Sequence, residues 1–199
     1  MNKVNIKICG IRSLASAQVA IAAGADFLGF NFIATSKRYI NPMEAKEIIG
    51  KVKNKVKTVG VFQNQKAIEV NIIAELTGLD FIQLHGEESN EYILQMKIKI
   101  IKKILLGSNL GNINKKVEYF ILDRDIQGTG EMINLEKAKQ ISENFSIFFA
   151  GGLTPANIAR VISEIKPFGV DVSSGVETNG MLDSRKIKAF IHNARGVEI

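Results

Sequence analysis

The sequence predicts a (β/α)8 barrel, and three observations lead there. Short apolar runs rich in Ile, Val and Phe recur along the chain, amphipathic stretches lie between them, and the strand-helix unit repeats at roughly 25-residue intervals. Such alternation argues against a sandwich of consecutive strands and for a parallel sheet built from crossover units. A doubly wound open sheet is the alternative. With 199 residues, 46% hydrophobic and 23% charged, the chain can bury one sizeable core, so one domain over 1–199 is expected.

Eight strands are expected, at 5–9 (NIKIC), 27–32 (FLGFNF), 58–63 (TVGVFQ), 81–85 (FIQLH), 99–106 (KIIKKILL), 118–123 (EYFILD), 146–151 (SIFFAG) and 169–174 (GVDVSS). Helices are expected near 13–23, 42–52, 66–77, 88–97, 134–142, 155–164 and 183–194, with a short one within 109–116. Asn41-Pro42 and Thr154-Pro155 each set a capping side chain before a proline at the first helical position, where the missing N–H needs no partner. No Pro/Ser-rich linker, low-complexity tract or sequence repeat divides the chain.

Composition narrows the function. A single cysteine forms neither an intramolecular disulfide nor a zinc cluster, which fits a reducing compartment. No signal-peptide pattern opens the chain and no apolar run approaches a membrane span, so a cytoplasmic protein with no membrane partner is expected. The net charge of +6 raises the question of nucleic acid, but it is spread. Its densest cluster, KVKNKVK at 51–57, closes a helix and enters a strand, and no zinc-finger, basic-region or RNA-binding signature accompanies it. No nucleic-acid partner is expected; a small anionic substrate suits the same charge.

In a barrel, strand side chains alternate between interior and helix-facing sides, and active sites lie at the C-terminal strand ends. If Cys9 points inward at the mouth, Lys7 lies one layer below it and Ile6 and Ile8 face helices. The same parity aligns Gln83 with His85, Tyr119 with Asp123, and Asp171 with Ser173, while Ile82, Leu84, Val170 and Val172 fall outside. These polar groups then converge where barrels place chemistry. Taken singly, each has a plain structural reading: Cys9 as a small core residue, His85 as a satisfied histidine, Lys7 with Asp171 as an interior ion pair.

Two glycine-bearing segments point to an anion. FFAGGLTPANI joins the seventh strand to a helix through Gly151 and Gly152, and VDVSSGVE offers Ser173, Ser174 and Gly175 after the eighth. Backbone N–H groups can approach a ligand there, at the loops where barrels frequently hold phosphate. Asp123 ends the sixth strand and suits a general acid, with Asp125 the competing carboxylate two residues on. Arg38, in the loop TSKRYINP, can hold a carboxylate bidentately.

KICGI (7–11), SKRYI (36–40), VGVF (59–62), QLHGEE (83–88), the ILD…GTG segment, AGGLTP…NI (150–158) and VDVSSGVE (170–177) together resemble the phosphoribosylanthranilate isomerase family of tryptophan biosynthesis, over essentially the whole chain. The resemblance implies an Amadori rearrangement of N-(5-phosphoribosyl)anthranilate without cofactor or metal, on a small phosphosugar substrate, by a monomer or homodimer. It implies Cys9 as general base, Asp123 as general acid, Arg38 on the anthranilate carboxylate with His85 and Asp171 also in the substrate site, and phosphate held by Gly151, Gly152, Ser173, Ser174 and Gly175. The segment after Asp123 departs from the family pattern, being shorter, with Gln127 before Gly128. Two other readings are open: another phosphate-binding barrel enzyme, and a non-catalytic anion-binding module. A metal-dependent epimerase would want a cluster of His and acidic ligands, and the chain has only His85 and His192.

Overall fold

The computed structural model describes residues 3–108, 110, 114–123 and 135–198. Eight parallel strands close into a barrel in chain order: β1 (Asn5–Cys9), β2 (Phe27–Asn31), β3 (Lys57–Phe62), β4 (Phe81–Leu84), β5 (Lys99–Ile104), β6 (Val117–Leu122), β7 (Ile147–Phe149) and β8 (Gly169–Val172). The seven helices among the described residues are α1 (Leu14–Ala23), α2 (Pro42–Val52), α3 (Ala67–Thr77), α4 (Asn90–Leu94), α5 (Leu135–Asn144), α6 (Ile158–Ile165) and α7 (Ser184–Arg195). The closed order excludes the open doubly wound sheet. No helix among the described residues is long and apolar enough to cross a membrane.

Helix starts follow capping chemistry. The Ser13 hydroxyl accepts from the Ser16 N–H at α1, and the Asn41 side chain accepts from Met43 N–H ahead of Pro42 at α2. At α7 the Asp183 carboxylate accepts from the N–H groups of Arg185 and Lys186. The Thr154-Pro155 signal is a correction: Pro155 lies in a turn, and α6 starts three residues later at Ile158. Asn157 accounts for the delay, accepting from Thr154 N–H and donating to the Gly152 carbonyl, which holds the chain in a turn before the helix. The expected helix 88–97 shrinks to α4 because Ser89 caps it and Glu88 is drawn away into an ion pair with Lys102. Of the expected short helix at 109–116, residues 115 and 116 form a turn, and 109 and 111–113 lie outside the described residues.

The strands bury both faces, as parallel sheets under helices must. Ile6, Ile8, Leu28, Ile82, Leu84, Val170 and Val172 join the helix-facing core, while Phe27, Val59, Phe81, Ile101, Ile121, Phe148 and Ala150 fill the interior. An aromatic plug closes the N-terminal end, where Phe27 meets Phe148 edge-on at 5.1 Å and Tyr119 stacks on Phe168 at 4.5 Å. Tyr119 thus has the inward parity expected of it but sits at the floor, two inward layers below Asp123. A depression of about 510 Å³ at that end is lined by Asp26, Lys57, Asp80 and neighbours and holds none of the candidate site residues.

Candidate active site

The site begins at the seam where β8 closes onto β1. Lys7 pairs in register with Asp171, and the fully buried ammonium donates to Asp171 Oδ1 at 2.9 Å. Taking two charges out of water is costly unless they are joined, so this pair holds a fixed geometry. Desolvation works against the Lys7 ammonium, but Asp171 and Cys9 outweigh it and hold the lysine above its ordinary value. Burial raises the Asp171 carboxyl against the opposing pull of Lys7.

Cys9 ends β1 directly above Lys7, half-buried and free. Burial pushes its thiol up; Lys7 pulls it down, Asp171 adds to the rise, and Arg38 opposes it. Space for the sulfur comes from β2, where Gly29 is the register partner of Cys9 and a Cβ there would stand 2.7 Å from Sγ. Gly10 turns the chain with φ +89, and a Cβ on it would strike Arg38 Cδ at 2.9 Å. The glycine after the cysteine therefore lets the arginine lie across the strand end.

Arg38 is held from the other side. Its Nε and Nη2 donate to the two carboxylate oxygens of Glu177 at 2.6 and 3.0 Å. Glu177 opens the small hairpin of residues 177–182, pairing Glu177–Thr178 with Met181–Leu182. Sequence reasoning missed this partner because 139 positions separate the two residues and loops carry no alternation from which to infer contact.

Across the barrel, Asp123 follows β6 and His85 follows β4, with His85 Nε2 3.3 Å from Asp123 Oδ2. Gln83, buried one inward layer below, donates from Nε2 to His85 Nδ1 at 3.2 Å. Asp123 and His85 both stand near enough to Asp171 to influence its carboxyl, so the two halves share one mouth. Asp125 lies outside the described residues, as do Gln127, Gly128 and Gly130. Lys103 is a further half-buried cation here, paired in register with inward-facing Ile121. The parity that exposed Lys7 also exposes Lys103, two residues beyond the interior Ile101.

The loops after β7 and β8 complete the mouth. Gly151 and Gly152 have positive φ of 85° and 68°. Gly175 lies so close to the Leu153 carbonyl that a Cβ would fall on it, which ties the two loops together. Ser173 precedes a short 3-10 turn, Ser174–Val176, and Ser174 and Gly152 are exposed.

The family profile described as N-(5'phosphoribosyl)anthranilate (PRA) isomerase matches residues 6–193. The chain belongs to the phosphoribosylanthranilate isomerase family. Among its relatives are the N-(5'-phosphoribosyl)anthranilate isomerases of Streptococcus mutans, 34% identical over 96% of this chain and 98% of the relative, and Pelobacter propionicus, 39% identical over 96% of each. The crystal structure of phosphoribosyl anthranilate isomerase from Thermotoga maritima superimposes with a TM-score of 0.87 at 34% identity, covering 98% of this chain and all of that one. A phosphoribosyl anthranilate isomerase solved with reduced 1-(o-carboxyphenylamino)-1-deoxyribulose 5-phosphate gives 0.84, with 34% identity over 98% of this chain and all of that one. Phosphoribosylanthranilate isomerases are cofactor-independent enzymes of tryptophan biosynthesis.

Proposed function

We propose that the chain carries out the Amadori rearrangement of N-(5-phosphoribosyl)anthranilate to 1-(2-carboxyphenylamino)-1-deoxyribulose 5-phosphate with Cys9 as general base and Asp123 as general acid. The observation that carries this reading is that a thiol and a carboxyl group stand at one mouth on strands separated by β7 and β8. A substrate between them meets a base on one side and an acid on the other.

Asp123 gives its proton to the furanose ring oxygen as the C1′–O bond breaks, and the anilino nitrogen supplies the electron pair that forms the Schiff base. Cys9, as thiolate, takes the C2′ proton, and the C–H electrons neutralise the iminium to give an enolamine, which tautomerises to the ketone. C2′ is oxidised and C1′ reduced within one molecule, so the chemistry balances without an external redox partner. Lys7 stabilises the thiolate from below. Arg38 meets the anthranilate carboxylate through its Nη1 and Nη2 end, since Glu177 occupies the Nε edge. His85 and Asp171 line the sugar, and the phosphate is held by Gly151, Gly152, Ser173, Ser174 and Gly175.

The test is the loss of substrate fluorescence with phosphoribosylanthranilate made in situ. Cys9→Ser and Asp123→Asn should each remain folded and lose on the order of 100-fold or more in kcat, the scale of general acid–base catalysis. Near-normal turnover in either variant removes that residue from the mechanism. Saturable, salt-dependent binding without product would instead favour an anion-binding module.

A further inference from the structure

Gln83 has no place in the chemistry just described, yet it is buried in the barrel directly under His85 with one amide atom spent on that ring. An amide nitrogen only donates, so the ring atom it touches, Nδ1, must carry a lone pair and not a proton. A neutral imidazole has one N–H, which this contact assigns to Nε2, the atom 3.3 Å from Asp123 Oδ2. Gln83 Oε1 has no hydrogen-bond partner among the described residues. Rotating the amide would exchange the unpaired carbonyl for a second unpaired N–H and gain no hydrogen bond.

We propose that Gln83 is a positioning residue for the general acid: its amide fixes His85 as the Nε2–H tautomer, and that N–H holds the Oδ2 side of Asp123. This rests on the assignment of Asp123 as the acid.

The tautomer matters because of where it leaves the acid proton. With Nε2–H facing Oδ2, the carboxyl keeps its proton on Oδ1, free to pass to the sugar ring oxygen, and the N–H then stabilises the carboxylate that remains. With the other tautomer, a bare Nε2 would face Asp123 and draw the carboxyl proton to itself, away from the substrate. A 3.3 Å separation closes to a hydrogen bond with a small ring rotation, as catalytic contacts commonly do when substrate is bound. The other charges around this pair are Asp171 from β8 and Lys103 from β5.

Long-range proton–nitrogen NMR of the whole enzyme, at a pH where the rings are neutral, reads the tautomer directly. The chain has two histidines, so a His192→Gln variant assigns both sets of signals. The expected wild-type result is protonated Nε2 and bare Nδ1 on His85. In Gln83→Met the two tautomers should mix and kcat should fall roughly 10-fold or more with KM nearly unchanged. A wild-type ring protonated at Nδ1 overturns the proposal without any variant, and so does a folded Gln83→Met enzyme with the wild-type tautomer and kcat. Because the tautomer is read without turnover, its outcome is separate from that of Asp123→Asn, which tests the acid itself.

Discussion

Gly29→Ala is expected to disable the enzyme through the placement of one sulfur atom. The added Cβ would lie 2.7 Å from Cys9 Sγ, 3.1 Å from its Cα and 3.2 Å from its Cβ. Carbon and its neighbours settle at about 3.5–4.0 Å, so the sulfur must retreat by roughly 1 Å while the strand backbones yield by a few tenths. A displacement of about 1 Å in a reacting group costs on the order of 100-fold in rate, and overpacking costs about 1–3 kcal/mol in stability. Steady-state kinetics should show that loss in kcat with KM little changed, alongside a lowered but cooperative thermal transition. Iodoacetamide labelling of Cys9, the one cysteine in the chain, reports the changed sulfur environment without substrate. A folded Gly29→Ala enzyme with near wild-type kcat would refute the reasoning, because it would mean the thiol does not need the position it occupies.

Further expectations follow from the ion pairs. Lys7 pulls the Cys9 thiol down, so Lys7→Met should move the pH dependence of labelling, and the ascending limb of the pH–rate profile, to higher pH; an unchanged labelling curve in folded protein would leave Lys7 a structural charge only. For Glu88, burial alone would raise the carboxyl, but the Asn64 N–H and Lys102 prevail and hold it below its ordinary value. Its contribution to stability is therefore complete above the unfolded value of about 4.3 and disappears as pH falls through the lower folded one. Glu88→Gln should cost about 3 kcal/mol near neutrality, with a difference from wild type that shrinks in acid denaturation series. Arg38→Ala should raise KM more than it lowers kcat, since the carboxylate it meets keeps its charge throughout the reaction; a fall in kcat at constant KM would contradict that role. Inorganic phosphate should compete with substrate, and a crystal grown in it should show the anion beside Gly152 and Ser174 and not elsewhere.

Strand parity made the barrel's interior legible. A period of two and a closed order sufficed to put Lys7 under Cys9 and against Asp171, because both facts follow from backbone geometry. Height was less legible than facing: Tyr119 points inward as expected yet belongs to the aromatic floor, since alternation says nothing about where along a strand the mouth begins. Loops were least legible. The grips of Glu177 on Arg38 and of Lys102 on Glu88 join side chains brought together only by the completed fold, and the start of α6 was decided by Asn157, whose side chain outbid the capping signal before Pro155.

The ion pair at the barrel seam also orders events in time. Lys7 and Asp171 are 164 positions apart, and Arg195 of α7 reaches back to the Val4 carbonyl and the Asp26 carboxylate beside β1. During synthesis, the lysine emerges early and must stay hydrated until its counter-ion arrives with the eighth strand. An N-terminal fragment ending before β8 therefore cannot bury Lys7 and cannot give Cys9 its neighbouring charge, however much of the sheet it has formed. Supplying β8 and α7 as a separate peptide should restore seam and reactivity together, making the labelling rate of a single thiol a clock for completion of the barrel.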